Sequence, residues 1–114
     1  MFLFTKENDL GNIEYKLKID GINQNRFDKY CSQLKYRVLE GNGKAIYIIG
    51  IHNNGFLVGL NKIDKTINIF YSICKNVNCE ISFICRCKYL DKKFLIIQVE
   101  SIFPINNIPF ALGF

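Results

Sequence analysis

The sequence predicts an α+β fold in the order β-α-β-β-α-β, with one further strand and then an apolar C-terminal tail. Three observations predict it. Residues 12–20 alternate apolar and polar side chains with the period of a half-buried strand. Two stretches, 23–40 and 61–78, carry apolar residues at spacings of three and four, the period of a helix packed on one face. Between and after them lie short apolar runs at 45–51, 56–60, 79–89 and 94–100, bounded by Gly, Asn and Asp.

In chain order, residues 1–11 read as an irregular lead-in. In the first strand Ile13, Tyr15, Leu17 and Ile19 are expected to face the core, and Glu14, Lys16, Lys18 and Asp20 the solvent. Gly21 breaks the strand. Asn23 is a candidate helix cap, and Phe27, Cys31, Leu34 and Val38 form the stripe behind it. Glu40-Gly41-Asn42-Gly43-Lys44 ends that helix in a Gly-rich loop. Ala45–Ile51, with Tyr47 and four isoleucines, reads as a well-buried strand. His52-Asn53-Asn54-Gly55 reads as the turn to a returning strand, Phe56–Leu60. Asn61 is expected to cap the second helix, with Asp64 in its first turn and Ile63, Ile67, Phe70, Cys74 and Val77 on its stripe. In the fourth strand, Cys79–Tyr89, the expected inward set is Ile81, Phe83, Cys85 and Cys87. Leu90–Lys93 turns the chain into a last strand, Phe94–Glu100.

The first six elements match a ferredoxin-like split βαβ arrangement. Its usual sheet order places the first strand between the third and fourth. Lys16 and Lys18 would then lie beside Arg86 and Lys88 on an open face. Residues 1–101 form one α+β domain in this reading, and 102–114 the tail.

The bulk numbers narrow the function. The chain has 114 residues, and 49% of them are apolar, enough for one core that buries roughly two-thirds of the unfolded surface. A net charge of +5 favours a polyanionic partner. Abundant Asn, Ile and Lys also suggest an AT-rich coding genome, a second source of lysine. Met1–Phe4 is too short and lacks the basic flank of a secretory signal. No apolar run approaches the ~20 residues that span a bilayer. Five cysteines, an odd number and placed in expected helices or strands, read as reduced cytoplasmic thiols. Cys74, Cys79, Cys85 and Cys87 lack a paired C-x-x-C, so no zinc site is expected. The single His52 sits in a turn with no nucleophile partner. Gly41-Asn42-Gly43-Lys44 follows a helix and lacks the G-x-x-x-x-G-K-[ST] pattern. RNA-recognition motifs share the strand–helix order, but Phe56–Leu60 lacks the K/R-G-F/Y signature and the first strand offers lysines where base-stacking rings would stand. Neither an enzyme nor a cofactor is expected; the surviving mode is contact with a phosphate backbone.

Three stretches carry a family resemblance: Gly11–Lys18 (GNIEYKLK), Leu34–Tyr47 (LKYRVLEGNGKAIY) and Ile49–Leu60, which ends Asn54-Gly55-Phe56-Leu57-Val58-Gly59-Leu60. They resemble the domain that precedes the GTPase domain in eukaryotic GTP-binding proteins similar to elongation factor Tu. Ile108–Gly113 resembles the end of the strand that leads into the P-loop there. These 114 residues hold no P-loop lysine, so the resemblance carries over no nucleotide hydrolysis.

A compact version of this domain, rich in Ile, Asn and Lys, also resembles the dormancy factors of microsporidian spore ribosomes. That resemblance implies a ribosome-hibernation protein that occupies the tRNA exit (E) site and excludes deacylated tRNA. The expected docking residues are Lys16, Lys18, Lys35, Arg37, Lys44, Arg86 and Lys88 on the body, facing rRNA and neighbouring ribosomal proteins. Phe110, Leu112, Gly113 and Phe114 would fill the place of a tRNA 3′ end, where an aromatic ring replaces a stacked base. The alternative is a basic protein-interaction module whose tail docks in a partner's groove. Neither reading involves a membrane, a metal or a small-molecule substrate.

Overall fold

The computed structural model describes residues 1–20 and 23–103, so Gly21, Ile22 and 104–114 lie outside the described residues. Six elements follow one another: β1 (Ile13–Lys16), α1 (Gln24–Glu40), β2 (Lys44–Ile49), α2 (Ile63–Asn76), β3 (Cys79–Tyr89) and β4 (Lys92–Ser101). They form one four-stranded sheet with two helices, the α+β class that the periodicities predict. β1, α1 and β2 make a βαβ unit, its two strands parallel.

The sheet order is β1-β2-β4-β3. β2 pairs with β1 along one edge and with β4, antiparallel, along the other. Both of its hydrogen-bonding edges are therefore filled, and the expected return strand Phe56–Leu60 has no place beside it. The turn itself forms: Gly55 N–H donates to the His52 carbonyl at 2.8 Å, and His52 N–H donates to Phe56 at 2.9 Å. Beyond it only isolated bridges remain, Phe2 with Phe56 and Ile51 with Leu57. Gly50, at φ +109°, ends β2 and swings the chain off the sheet. A Cβ there would stand 3.0 Å from the Cβ of Phe94.

Both sheet faces are covered. On one, Leu34 and Val38 of α1 and Ile67, Phe70, Ile73 and Cys74 of α2 pack on Ala45, Tyr47, Ile49, Leu95, Ile97 and Val99. On the other, Leu3, Phe4 and Tyr15 close over Ile48, Ile51, Leu57 and Phe94. The lead-in is thus a lid on the second face, held where Leu3 and Phe4 N–H groups donate to the Gly55 carbonyl at 3.0 and 3.2 Å. Gly55 (φ +93°) leaves no room for a Cβ, which would meet the Phe4 carbonyl.

The caps are half as expected. The Asn23 side chain accepts from Arg26 N–H at 2.9 Å. α2 instead starts from Lys62 with no side-chain cap, although Asp64 does sit in its first turn. In β3 a bulge between Ile81 and Phe83 shifts the alternation, so Phe83 is 55% exposed where burial was expected. Ile84 takes the core position beside the first cluster.

The first strand keeps part of the expected facing, with Tyr15 packed in the second cluster and Ile19 fully buried, but three positions reverse it. Glu14 is 4% exposed, while Ile13 and Leu17 are 42% and 44% exposed. The cause is Arg37, placed by α1 at 3% exposure behind the strand. Its Nε donates to Glu14 Oε1 at 2.8 Å, and its terminal nitrogens donate to the carbonyls of Asn8, Asp9 and Gly11 at 3.0, 3.4 and 2.7 Å. Glu7 stands 3.8 Å from the same guanidinium and accepts from Tyr15 N–H. Burial raises the Glu7 carboxyl above its ordinary 4.5, opposed by the Tyr15 hydrogen bond. Beside this cluster the buried Tyr47 hydroxyl has no hydrogen-bond partner among the described residues.

Three outcomes follow for stability. Arg37→Leu strands Glu14 as an uncompensated buried charge and should cost about 3–5 kcal/mol in urea unfolding, partly recovered in Arg37→Leu/Glu14→Gln. Tyr47→Phe removes an unpaired buried hydroxyl and should leave stability unchanged or raise it by about 1 kcal/mol, read from the denaturation midpoint. Glu7, raised in the fold, favours the native state when protonated. Its contribution is present below pH 4.5 and is lost as pH rises through the raised value, so Glu7→Gln should flatten unfolding free energy against pH over that window.

Candidate nucleic-acid interface

Strand β3 and the hairpin into β4 supply three cations to one place. Past the bulge, Ile84 faces the helix layer, so Arg86 and Lys88 follow it on the same face by strand alternation. Lys88 lies directly opposite Lys93 in the β3–β4 ladder. α2 begins at this corner and brings Lys62 at its N-cap position and Lys65 in its first turn. Together with Asn61, Ile63, Asp64 and Cys87 these side chains line a cleft of about 610 Å³. Five cations thus surround a single carboxylate. Asp64 Oδ1 accepts from Arg86 at 3.1 Å, and both side chains are largely exposed, at 86% and 62%.

A second cleft of about 400 Å³ adjoins it, sharing Asn61 and Lys62 and lined also by Leu17, Lys18, Asp20 and Thr66. Lys18 therefore joins Arg86 and Lys88 through Lys62, along a groove around the start of α2. The route is not the expected one, since β1 and β3 are opposite edges of the sheet, with β2 and β4 between them. At about 4.8 Å per strand they stand ~14 Å apart, so Lys16 and Lys18 are not strand neighbours of Arg86 and Lys88.

The other expected docking residues scatter. Lys16 folds onto its own layer, 3.6 Å from Glu14 and 5.2 Å from the Tyr30 ring centroid. Arg37 is buried in the cluster described above and presents no charge to solvent. Lys35 is half-buried beside Ser32, Tyr36 and Leu39 on α1. Lys44 pairs with Glu100 at 3.7 Å. That pair lies at the far end of β4 from Lys93, about 24 Å along the strand. Phe110, Leu112, Gly113 and Phe114 lie outside the described residues. Sequence reasoning missed Lys62, Lys65 and Lys93. Lys62 and Lys65 lie at a helix start and Lys93 at the start of β4 just past the hairpin turn, where periodicity carries little information; only their density near Arg86 and Lys88 in space marks them.

The thiols argue for packing. Burial pushes Cys74 up to about 12 and Cys79 up to about 11. Burial, with a hydrogen bond to Cys85, pushes Cys87 up to about 11. Its Sγ lies 3.5 Å from that of Cys85. Among the described residues no group of three His, Cys, Asp or Glu side chains is arranged to hold a metal ion.

Comparison with known proteins gives a partial match. The chain is similar to GTP-binding protein 2 of Mus musculus and of Homo sapiens, 39% identical to each over 74 residues. The match covers 63% of this chain and 12% of the length of each relative. No family model matches the chain, and no solved structure matches it. No helix among the described residues is long and apolar enough to cross a membrane.

Since thiolates are the reactive form, brief iodoacetamide treatment of the native protein at pH 8 should leave Cys74, Cys79 and Cys87 unlabelled by mass spectrometry, with labelling appearing on unfolding.

Proposed function

We propose that this protein is a ribosome-binding dormancy factor that acts sterically: its cationic groove docks the body on the rRNA backbone beside the exit site, and the C-terminal tail keeps tRNA out. The observation that carries the reading is the cleft at the start of α2, where Lys62, Lys65, Arg86, Lys88 and Lys93 face one carboxylate. Side chains of this kind, without exposed rings between them, suit phosphates better than base faces. Lys18 extends the groove, giving it the reach of several consecutive phosphates.

GTP binding, after which the relatives are named, is a weaker reading. The matched region is 12% of those proteins, and the 114 residues contain no G-x-x-x-x-G-K-[ST] loop to cradle a β-phosphate. The tail, with Phe110, Leu112, Gly113 and Phe114, completes the proposal as a plug for the space of a tRNA 3′ end.

Co-sedimentation with ribosomes across a salt series tests it. The triple variant Lys62→Gln/Lys88→Gln/Lys93→Gln should lower the slope of log K against log salt by about 2–3, close to one per lost phosphate contact. An unchanged slope removes the groove from the interface. Deletion of 110–114 should spare sedimentation but restore binding of deacylated tRNA; continued exclusion of tRNA would sink the plug.

A further inference from the structure

The groove contains its own anion. In a cleft lined by five cations, the Asp64 carboxylate rests on Arg86 through one 3.1 Å contact. Both side chains are solvated, and exposed pairs of this kind hold together weakly. A second observation on the other wall points the same way. Lys88 and Lys93 are cross-strand partners, and like charges directly opposite each other disfavour the ladder. The nearest carboxylate lining the cleft, Asp64, is engaged by Arg86, which leaves the lysine pair without a counter-charge there. The cleft therefore has one cation lightly held by an internal acid and two more that repel each other.

We propose that the cleft is a phosphate-exchange site: a phosphate displaces the Asp64 carboxylate from Arg86 and bridges to Lys88 and Lys93. Inorganic phosphate offers more oxygens than the carboxylate and up to two negative charges, and along a nucleic-acid backbone neighbouring diesters, each with one charge, would share the three cations. Arg86 suits the exchange, since its planar fork binds a tetrahedral oxyanion in two-pronged fashion. Asp64 then sets affinity from inside the site, because every bound phosphate must first displace it. The inference rests on the RNA-docking reading only for the source of the phosphate, a backbone diester.

The test has two arms on the full chain. In the first, inorganic phosphate is titrated against ¹⁵N-labelled protein at constant ionic strength, with chloride as the control. The Arg86 Nε–H and the Asp64 and Lys65 amides should shift with phosphate and not with chloride. Asp64→Asn should bind phosphate more tightly, by up to about fivefold, the worth of one surface pair. Arg86→Gln should bind more weakly. No phosphate-specific shift in the cleft, or equal or weaker binding by Asp64→Asn, overturns the exchange. In the second arm a single-stranded RNA replaces phosphate, read by fluorescence anisotropy. Tighter RNA binding by Asp64→Asn supports the exchange with a backbone diester. If phosphate shifts the cleft while RNA fails to bind the wild type, the exchange site stands and RNA docking falls.

Discussion

One guanidinium orders the N-terminal half of the molecule. Arg37 leaves α1, passes behind β1 and gathers the Glu14 carboxylate and three backbone carbonyls from residues 8–11. A buried charge is tolerable only when its donors are satisfied, and here four hydrogen bonds and a nearby Glu7 do so. The consequences spread outward. Because Glu14 must face inward, Ile13 before it and Leu17 just past β1 stand half exposed. Because residues 8–11 are held, the segment before them is delivered over the second sheet face, where Phe4 packs at 6.0 Å from the Phe94 ring. The side chain expected at an RNA surface is instead what fixes the lead-in.

Periodicity was informative where one side chain pattern met one environment. Both helices appear within a residue or two of their stripes, and Asn23 caps as its chemistry suggests. It misled where a polar residue had a buried partner distant in sequence. Nothing in Glu14-Tyr15-Lys16 signals an arginine 23 residues away. It also misled where sheet edges compete. The run 56–60 has strand chemistry, but β4 already holds the available edge of β2, and a local pattern does not record which strand arrives. The bulge in β3 is a third case: one inserted residue reverses the facing of Phe83 without altering the composition.

The groove is a product of that same competition. With β4 beside β2, the β3–β4 hairpin turns at the end of the sheet where α2 begins. Arg86, Lys88 and Lys93 then meet Lys62 and Lys65 across the corner. In the sequence these charges are divided between a helix start, a strand and a turn, and only Arg86 and Lys88 announced themselves. Lys44, on the same strand system, sits at the opposite end and belongs to a different surface.

The bulge has a further consequence. β3 is an eleven-residue outer strand, and among the described residues its outward backbone groups have no strand partner. A long, flat strand of this kind is a template on which another molecule can stack, the first step toward insoluble aggregates. The kink at Ile81–Phe83 breaks the strand into two shorter reaches at its apolar middle, and Arg86 and Lys88 add repulsion along the second. The irregularity that exposes a phenylalanine also denies the strand the continuous register that self-association would need.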